Sequence, residues 1–361
     1  MEWQSNVALA PLTTFKIGGV ADFMCRVETE REVHDLCMAA RAKNLPITIL
    51  GGGSNVLISD AGIRGLVMHM AIGGISANKE GDSVVVSAGA GVSWDDLVLH
   101  SVSNGWWGIE NLSGIPGTVG AAPVQNINAY GVALADHLYQ VRAIHIPTGA
   151  GRIFTNEECR FGYRDSFFKT AKGREYVITN VVLQLSTLPS ANTRYQSASQ
   201  SIARYLKEGG EPRSPLAVRT AVIAIRKKIG MLTGMYQSAG SFFKNTVVDA
   251  VSFARVQEIV AKLHAEKGIR LAPWHWPLPD GAEKISTAFL LECTPYNKTD
   301  FAGKYFMDAV GISPLHSLSI INVGDATAEK VCAFAKCIID AVEKEFGISI
   351  EMEVEMMGDV Q

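Results

Sequence analysis

Several patterns that mark common protein classes are missing from this sequence. No two cysteines have the C-x-x-C spacing of a zinc or redox site, and no apolar stretch approaches the roughly 18 residues of a membrane-spanning helix. The first segment, with Glu2 and no basic region, does not have the pattern of a signal peptide. We therefore expect a cytoplasmic protein with no membrane partner and no bound metal. Its six cysteines, at positions 25, 37, 159, 293, 332 and 337, are expected to be free thiols.

An excess of charge of one sign is also missing. The chain of 361 residues has a net charge of −3, with 19% charged and 47% hydrophobic residues and no long run of like charges. A nucleic-acid-binding surface needs a basic patch or stripe, so we expect no nucleic-acid partner. The composition is that of an ordinary globular protein, and the length predicts two or three domains.

Strand and helix patterns alternate along the chain, which indicates an α+β protein. A helix is predicted for residues 29–44, with Thr29 as its N-cap. The composition becomes polar between about 188 and 215, and the second half then resembles a domain of its own. The predicted strands are 21–28, 46–50, 82–91, 138–147, 175–186, 317–323 and 348–356, and the further helices are 216–228, 251–267 and 326–346.

Two glycine-rich loops are candidates for ligand contact. In the first, Gly51–Gly53 follow a predicted strand, and consecutive glycines let backbone N–H groups converge on an anion. It is not a dinucleotide fingerprint, which would need glycine in place of Val56, and an ordinary turn explains it equally well. The second loop, residues 108–131, combines five glycines with two prolines over about 24 residues. Long irregular segments are usually functional, so ligand contact is favoured there.

Ser241 lies three residues before Lys244, which is the spacing of a serine nucleophile and its lysine base. The companion motifs S-D-N and K-T-G are missing, the flanks do not fit G-x-S-x-G, and no histidine has a triad motif. Covalent serine catalysis is therefore disfavoured.

Charged residues elsewhere leave two interpretations open. Arg164 follows Tyr163 in an aromatic segment, where an arginine either grips a ligand carboxylate or forms a surface ion pair. Near the C terminus, Glu351, Glu353 and Glu355 alternate with apolar residues on a predicted strand. A solvated strand face is the default for these glutamates, and a glutamate beside a reacting centre is the alternative for one of them.

The order of the motifs resembles the UDP-N-acetylenolpyruvoylglucosamine reductase (UDP-N-acetylmuramate dehydrogenase) family. The resemblance runs from Thr13 to Gly358, and YRDSFFK (163–169) followed by AGSFFKN (239–245) is its most specific part. It implies an α+β fold in which a two-part FAD-binding domain of the vanillyl-alcohol-oxidase (PCMH) type precedes a smaller α+β substrate-binding domain. The implied boundaries are 1–70 and 71–215 for the FAD-binding subdomains, 216–350 for the substrate domain and 351–361 for a strand returning to the active site.

The resemblance also implies an activity. NADPH would reduce a noncovalently bound FAD, which would pass hydride to UDP-N-acetylglucosamine enolpyruvate and give UDP-N-acetylmuramate for peptidoglycan synthesis. In the family a serine donates the proton, while an arginine and a glutamate stabilise the enol-like intermediate and assist its protonation. These roles carry over to Ser241, Arg164 and Glu353. The enzyme is expected to act as a monomer.

Further binding residues follow from the same resemblance. Tyr195 matches the mobile tyrosine of a subclass with an extra loop over the uridine diphosphate. The implied substrate contacts are Tyr130, Tyr195, Arg226, Asn245 and His316. The implied FAD contacts are Gly51, Gly52, Gly53, Ser54, Asn55, Ser113, Gly114, Ile115, Pro116, Gly117, Gly120 and Ala121.

Two of the departures from the family pattern replace a basic residue. Glu355 replaces an arginine, and the reversed charge is expected to raise the pKa of Glu353. Ile229 replaces a lysine of the diphosphate-binding helix, and Lys227 or Lys228 is a possible substitute. The alternatives are another flavin oxidase or dehydrogenase of the same fold, and an inactive nucleotide-sugar-binding protein.

Overall fold

The N-terminal part of the chain forms a sheet covered by one helix. The computed structural model describes residues 2–189, 202, 206, 214–269 and 273–359. Helix α1 (Glu30–Ala42) begins at Thr29, whose side chain accepts from the backbone N–H of Glu32, while the Glu32 carboxylate accepts from that of Thr29. Strands β1 to β5 are Gln4–Ala8, Val20–Val27, Ile47–Leu50, Val56–Ile58 and Ile63–Met70. All except β4 share the sheet, in the order β1-β2-β5-β3.

The next part is a five-stranded antiparallel sheet with one helix. Helix α2 (Trp94–Ser103) packs its apolar side chains into the core beneath this sheet. Strands β6 to β12 are Ile75–Glu80, Ser83–Gly89, Asn128–Ala129, Val132–Ala133, Leu138–His145, Gly151–Thr155 and Tyr176–Ser186. Their order in the sheet is β11-β10-β12-β7-β6, while β8 and β9 form a separate hairpin. The second glycine-rich loop therefore runs from α2 to β10 with little regular structure, as predicted.

The C-terminal part combines four helices with two small antiparallel sheets. The helices α3 to α6 are Pro215–Lys228, Ala250–Lys267, Thr287–Glu292 and Ala328–Phe346. Strands β13 to β19 are Gln237–Ser238, Thr246–Val248, His275–Pro277, Glu283–Ile285, Val310–Ser313, His316–Asn322 and Glu355–Met357. The sheets have the orders β13-β18-β17 and β14-β16-β15. No helix in the described ranges is long and apolar enough to cross a membrane.

The core of the C-terminal part includes side chains from the N terminus. Phe15, Ile17 and Leu57 pack in one buried cluster with Phe242 and Phe243, which lie between Ser241 and Lys244 in the AGSFFKN segment. Strand β19 pairs in parallel with β4, directly after the first glycine loop. This pairing brings the C-terminal segment back to the first glycine loop. The domain boundaries given above stay a prediction.

The predicted strand at 348–356 is wrong in extent. Met352 forms only an isolated bridge with Phe243, and regular pairing begins at Glu355. The expected alternation of the three glutamates is therefore also wrong. Glu353 is 8% exposed, whereas the side chain of Glu351 is 77% exposed.

Candidate active site

The two glycine loops contact each other so closely that side chains would not fit. A Cβ atom on Gly52 would lie 2.9 Å from the Cα of Gly117, and one on Gly51 would lie 2.6 Å from Thr118 Oγ1. Gly53 has a φ of 60°, and a Cβ there would lie 2.1 Å from the backbone oxygen of Leu12. The sequence needs glycine at these positions because two backbone segments meet there.

The residues around this contact fit a flavin nucleotide. Thr118 Oγ1 is buried and has no hydrogen-bond partner among the residues that the structure describes, so a ligand phosphate or ring atom would satisfy it. A cleft runs from the loops towards the serine motif. It is lined by Thr14, Ser54, Pro116, Met231, Ser238 and Gly240, among others. The glycines, the free hydroxyl and the cleft together form a cradle for a diphosphate and a flat ring system.

Several predicted cofactor residues also have structural contacts. Asn55 Nδ2 donates to Gln125 Oε1 at 2.8 Å and to the backbone oxygen of Glu353 at 3.3 Å. Ser113 Oγ donates to the backbone oxygen of Glu110 at 2.6 Å, and Gly114 N donates to Asp95 Oδ1 at 2.5 Å. The structure therefore places Asn55, Ser113 and Gly114 as supports of the loops, and their direct contact with the cofactor stays a prediction.

The Gly52→Ala variant is expected to bind flavin at least about tenfold more weakly, equivalent to roughly 1.4 kcal/mol. The added methyl group would push the first loop away from Gly117 and distort the cradle. The measurement is visible flavin absorbance per protein after titration with FAD. Gly73→Ala is the matched control, because a Cβ there meets nothing within 4 Å. Equal flavin affinity in both variants would contradict this account of the loops.

Backbone pairing brings Ser241 and Glu353 together. Ser241 follows Gly240, whose φ is 76° and where an added Cβ would meet Met231 Cε at 4.0 Å. Directly after Ser241, Glu353 N donates to Phe242 O at 2.8 Å and Lys244 N donates to Glu351 O at 2.9 Å. The C-terminal segment thus runs beside the serine motif, and the buried carboxyl group of Glu353 lies in the same region.

Arg164 meets Glu353 from a third segment. Its Nε lies 3.1 Å from Glu353 Oε1, and the two side chains are 19% and 8% exposed. The Nε–H is not aligned as a hydrogen bond with any described residue, so the guanidinium keeps donor capacity for a further acidic group. Burial raises the pKa of Glu353, against the opposing effects of Arg164, Lys169 and Lys244. Arg164 has a φ of 53°, a strained conformation that is common at functional sites.

Three lysines add positive charge around this pair. Lys169 Nζ donates to the backbone oxygen of Arg164 at 3.0 Å. Lys284 Nζ lies 5.2 Å from the ring centroid of Tyr163, and burial together with the charge of Arg164 lowers the pKa of Lys284. Lys169 and Lys244 lie in the recognised motifs, but no sequence signal pointed to Lys284. The concentration of cations favours a ligand with several negative charges.

Arg226 is a further cation beside the site, and it is buried. It is 8% exposed, and its guanidinium carbon lies 5.5 Å from the ring centroid of Tyr130. Its Nε has no hydrogen-bond partner in the described part of the chain. Burial lowers the pKa of Arg226, and the charge of Arg164 acts in the same direction, so the two arginines share one region. Tyr130 and Arg226 are therefore brought towards the Arg164–Glu353 pair.

The remaining predicted substrate residues differ in their surroundings. Asn245 Oδ1 accepts from Thr287 N at 3.2 Å, and Asn245 also forms a hydrogen bond that affects the phenol of Tyr163, so it lies at the site. Burial and the charge of Lys298 lower the pKa of His316 to about 4, which leaves its ring neutral at neutral pH. Within the described residues, the charged groups that act on His316 are Lys298 and Glu292 rather than Arg164 and Glu353. Tyr195 lies outside the residues that the structure describes.

One expectation about the departures from the family pattern is corrected. Glu355 forms an ion pair with Arg174 at 2.6 Å, and the raised pKa of Glu353 results from burial rather than from Glu355. Ile229 is buried, whereas Lys227 and Lys228 are exposed at the end of α3. Contact of either lysine with the diphosphate stays a prediction.

Comparisons with known proteins agree with this geometry. Residues 21–155 match the model of the FAD binding domain, and residues 233–357 match that of the C-terminal domain of UDP-N-acetylenolpyruvoylglucosamine reductase. The chain is 34% identical over 355 residues to the UDP-N-acetylenolpyruvoylglucosamine reductase of Chromobacterium violaceum, covering 98% of each chain. It is 36% identical over 361 residues to that of Thermobifida fusca, covering 98% of this chain and 97% of the relative.

A solved structure extends the likeness to the fold. The UDP-N-acetylenolpyruvylglucosamine reductase from Thermus caldophilus is 25% identical to this chain, with a TM-score of 0.63, and the match covers 99% of this chain and 98% of that one. The predicted fold class and the FAD cofactor are confirmed by these matches. From the glycine cradle, the buried arginine–glutamate pair and similarity over almost the entire length, the chain belongs to the UDP-N-acetylenolpyruvoylglucosamine reductase family.

Proposed function

We propose that the protein is an NADPH-dependent reductase that converts UDP-N-acetylglucosamine enolpyruvate into UDP-N-acetylmuramate, a precursor of peptidoglycan. The observation that carries the proposal is the buried Arg164–Glu353 pair beside the Ser241 loop, at the end of the glycine-loop cleft. Reduction of an enolpyruvyl double bond needs a group that grips the carboxylate, a group that stabilises developing charge and a proton donor. The three side chains supply these functions.

The cofactor site is assigned to the two glycine loops, with Gly51–Asn55 on one side and the 113–121 loop on the other. When bound, FAD would supply the hydride for the substrate, with NADPH as the reductant. The loops would hold its diphosphate through backbone N–H groups, and Thr118 Oγ1 offers an additional polar atom. The cleft that leads to Gly240 would bring the enolpyruvyl group towards Ser241.

Arg164 stabilises the charge that develops on the substrate. Addition of hydride to the terminal carbon of the enolpyruvyl group places negative charge on the α-carbon and the carboxylate. The guanidinium is already oriented by Glu353 and is largely shielded from water, so its interaction with this charge is strong. Lys169 and Lys284 add to the positive potential around the carboxylate.

Ser241 donates the proton to the α-carbon. A serine hydroxyl is a weak acid, and it protonates only a strongly basic carbon such as this carbanion or enolate. Glu353, whose pKa is raised by burial, retains a proton to higher pH than an exposed glutamate and assists the transfer. No histidine base is required, which agrees with the missing triad motif.

The nucleotide end of the substrate is assigned to the buried Arg226 and its neighbours. Arg226 is desolvated and has an unused Nε–H among the described contacts, and a diphosphate would supply the missing acceptor. Tyr130 lies beside Arg226, whereas Asn245 lies beside Tyr163. Asn245, His316 and Tyr195 remain proposed contacts from the family pattern. We also propose a cytoplasmic monomer with no nucleic-acid or membrane partner.

The proposed function is tested by two half-reactions in the absence of air. The purified protein should show a flavin spectrum, NADPH should bleach it, and the enolpyruvyl substrate should restore it with formation of UDP-N-acetylmuramate. A protein without a flavin chromophore would overturn the cofactor assignment. Bleaching without restoration by the substrate, but with restoration by O₂, would instead favour a flavin oxidase of the same fold.

A further inference from the structure

An ion pair outside the catalytic trio connects two of the segments that form it. Arg174 Nη2 lies 2.6 Å from Glu355 Oε1, and the two side chains are 59% and 32% exposed. Arg174 Nε also donates to the backbone oxygen of Lys169 at 3.3 Å. Arg174 therefore contacts both the loop that carries Lys169 and Arg164 and the C-terminal segment that carries Glu353.

Glu355 lies within electrostatic range of the same cluster. Burial and Lys244 lower the pKa of Lys169, while Glu355 and Glu353 both raise it, so both carboxylates are near the Lys169 ammonium. That ammonium in turn donates to the backbone oxygen of Arg164. A carboxylate at position 355 without a partner would add a negative charge to the cluster and compete for Lys169.

The other charged groups around Glu353 are predominantly cationic. Arg164 pairs with it directly, and Lys169 and Lys244 both lower its pKa. Glu351 is exposed and pairs with Lys244 at 3.0 Å. On the neighbouring elements, the remaining titratable groups that interact with Arg164 or Glu353 are Tyr163, Lys284 and Arg226.

We propose that Arg174 is a positioning residue that pairs with Glu355, cancels its charge beside the catalytic site and holds the Arg164–Lys169 loop against the C-terminal segment. The pair then explains how this chain accommodates a glutamate at position 355. Arg174 contacts no reacting atom and acts through Glu355 and the Lys169 backbone. The significance of this role for catalysis rests on the proposed function, although its electrostatic effect is measurable without turnover.

The test is the titration of Glu353 in the FAD-loaded enzyme, followed by carboxyl carbon NMR. The Glu353 resonance is assigned as the one lost in Glu353→Gln. Arg174→Gln leaves Glu355 unpaired, so the pKa of Glu353 is expected to rise by about half a pH unit. Arg174→Lys keeps the charge and should leave the pKa of Glu353 unchanged. The double variant Arg174→Gln/Glu355→Gln removes both charges and should also leave the pKa of Glu353 unchanged.

Arg26→Gln is the matched control, because Arg26 forms an exposed pair with Glu28 at 3.0 Å on strand β2. No shift in Arg174→Gln, or an equal shift with and without Glu355, would overturn the proposal. The pH profile of the substrate half-reaction should move with the NMR titration. If the parent enzyme does not reduce the enolpyruvyl substrate, the proposed function fails, while the NMR result still decides the role of Arg174.

Discussion

Ser241→Ala is expected to slow the reaction of the reduced enzyme with the enolpyruvyl substrate by about 10³-fold, within the range for loss of a general acid. The substitution removes the proposed proton donor and leaves Gly240, Phe242 and their backbone contacts in place. NADPH should still bleach the flavin at a rate within about twofold of that of the parent enzyme, because that step needs no proton from Ser241. Rapid-mixing absorbance measurements separate the two half-reactions.

The control for this variant is Ser349→Ala, since Ser349 is an exposed serine in the neighbouring C-terminal segment. It should retain both rates. If Ser241→Ala also prevented reduction by NADPH, Ser241 would be a structural residue of the cleft. If it retained the full rate with the substrate, another group would be the proton donor.

Glu353→Gln is expected to lower the rate of the substrate half-reaction by about 10²- to 10⁴-fold. The amide has the size of the carboxyl group but cannot transfer a proton, and it alters the contact with Arg164, whose Nε lies 3.1 Å from Glu353 Oε1. The same measurement of flavin reoxidation gives the rate, and unfolding is followed separately to exclude loss of fold. Glu351→Gln, in which the substituted side chain is 77% exposed, is the matched control and should remain active.

Comparison of the parent protein with Glu353→Gln also tests the pKa of Glu353. Its folded-state pKa is raised by burial, so its contribution to stability is fully present below the ordinary glutamate pKa of 4.5 and is lost as the pH rises through the folded-state pKa. The free energy of unfolding of the parent protein, relative to Glu353→Gln, should therefore fall over this pH range. Denaturant titrations at several pH values measure it, and a constant difference would show that the pKa is not raised.

Much of the fold was predictable from local patterns. The helix after Thr29 and the long β-branched strands follow from capping and from the periodicity of apolar residues, which depend only on near neighbours. The predicted strand at 348–356 was wrong, because its pairing depends on distant partners. Glu355–Met357 pairs with Val56–Ile58, whereas Met352 makes only one bridge.

The family, the two glycine loops and the candidates Ser241, Arg164 and Glu353 could be read from the sequence, because motifs and glycine requirements are properties of short segments. The burial of Glu353 and the ion pair of Glu355 became visible in the folded chain, which also added Lys284 and Arg174 to the site. Burial and pairing of charges depend on side chains from segments that are far apart in the chain. For that reason Glu353 and Glu355, two residues apart with the same side chain, have different surroundings and different proposed roles.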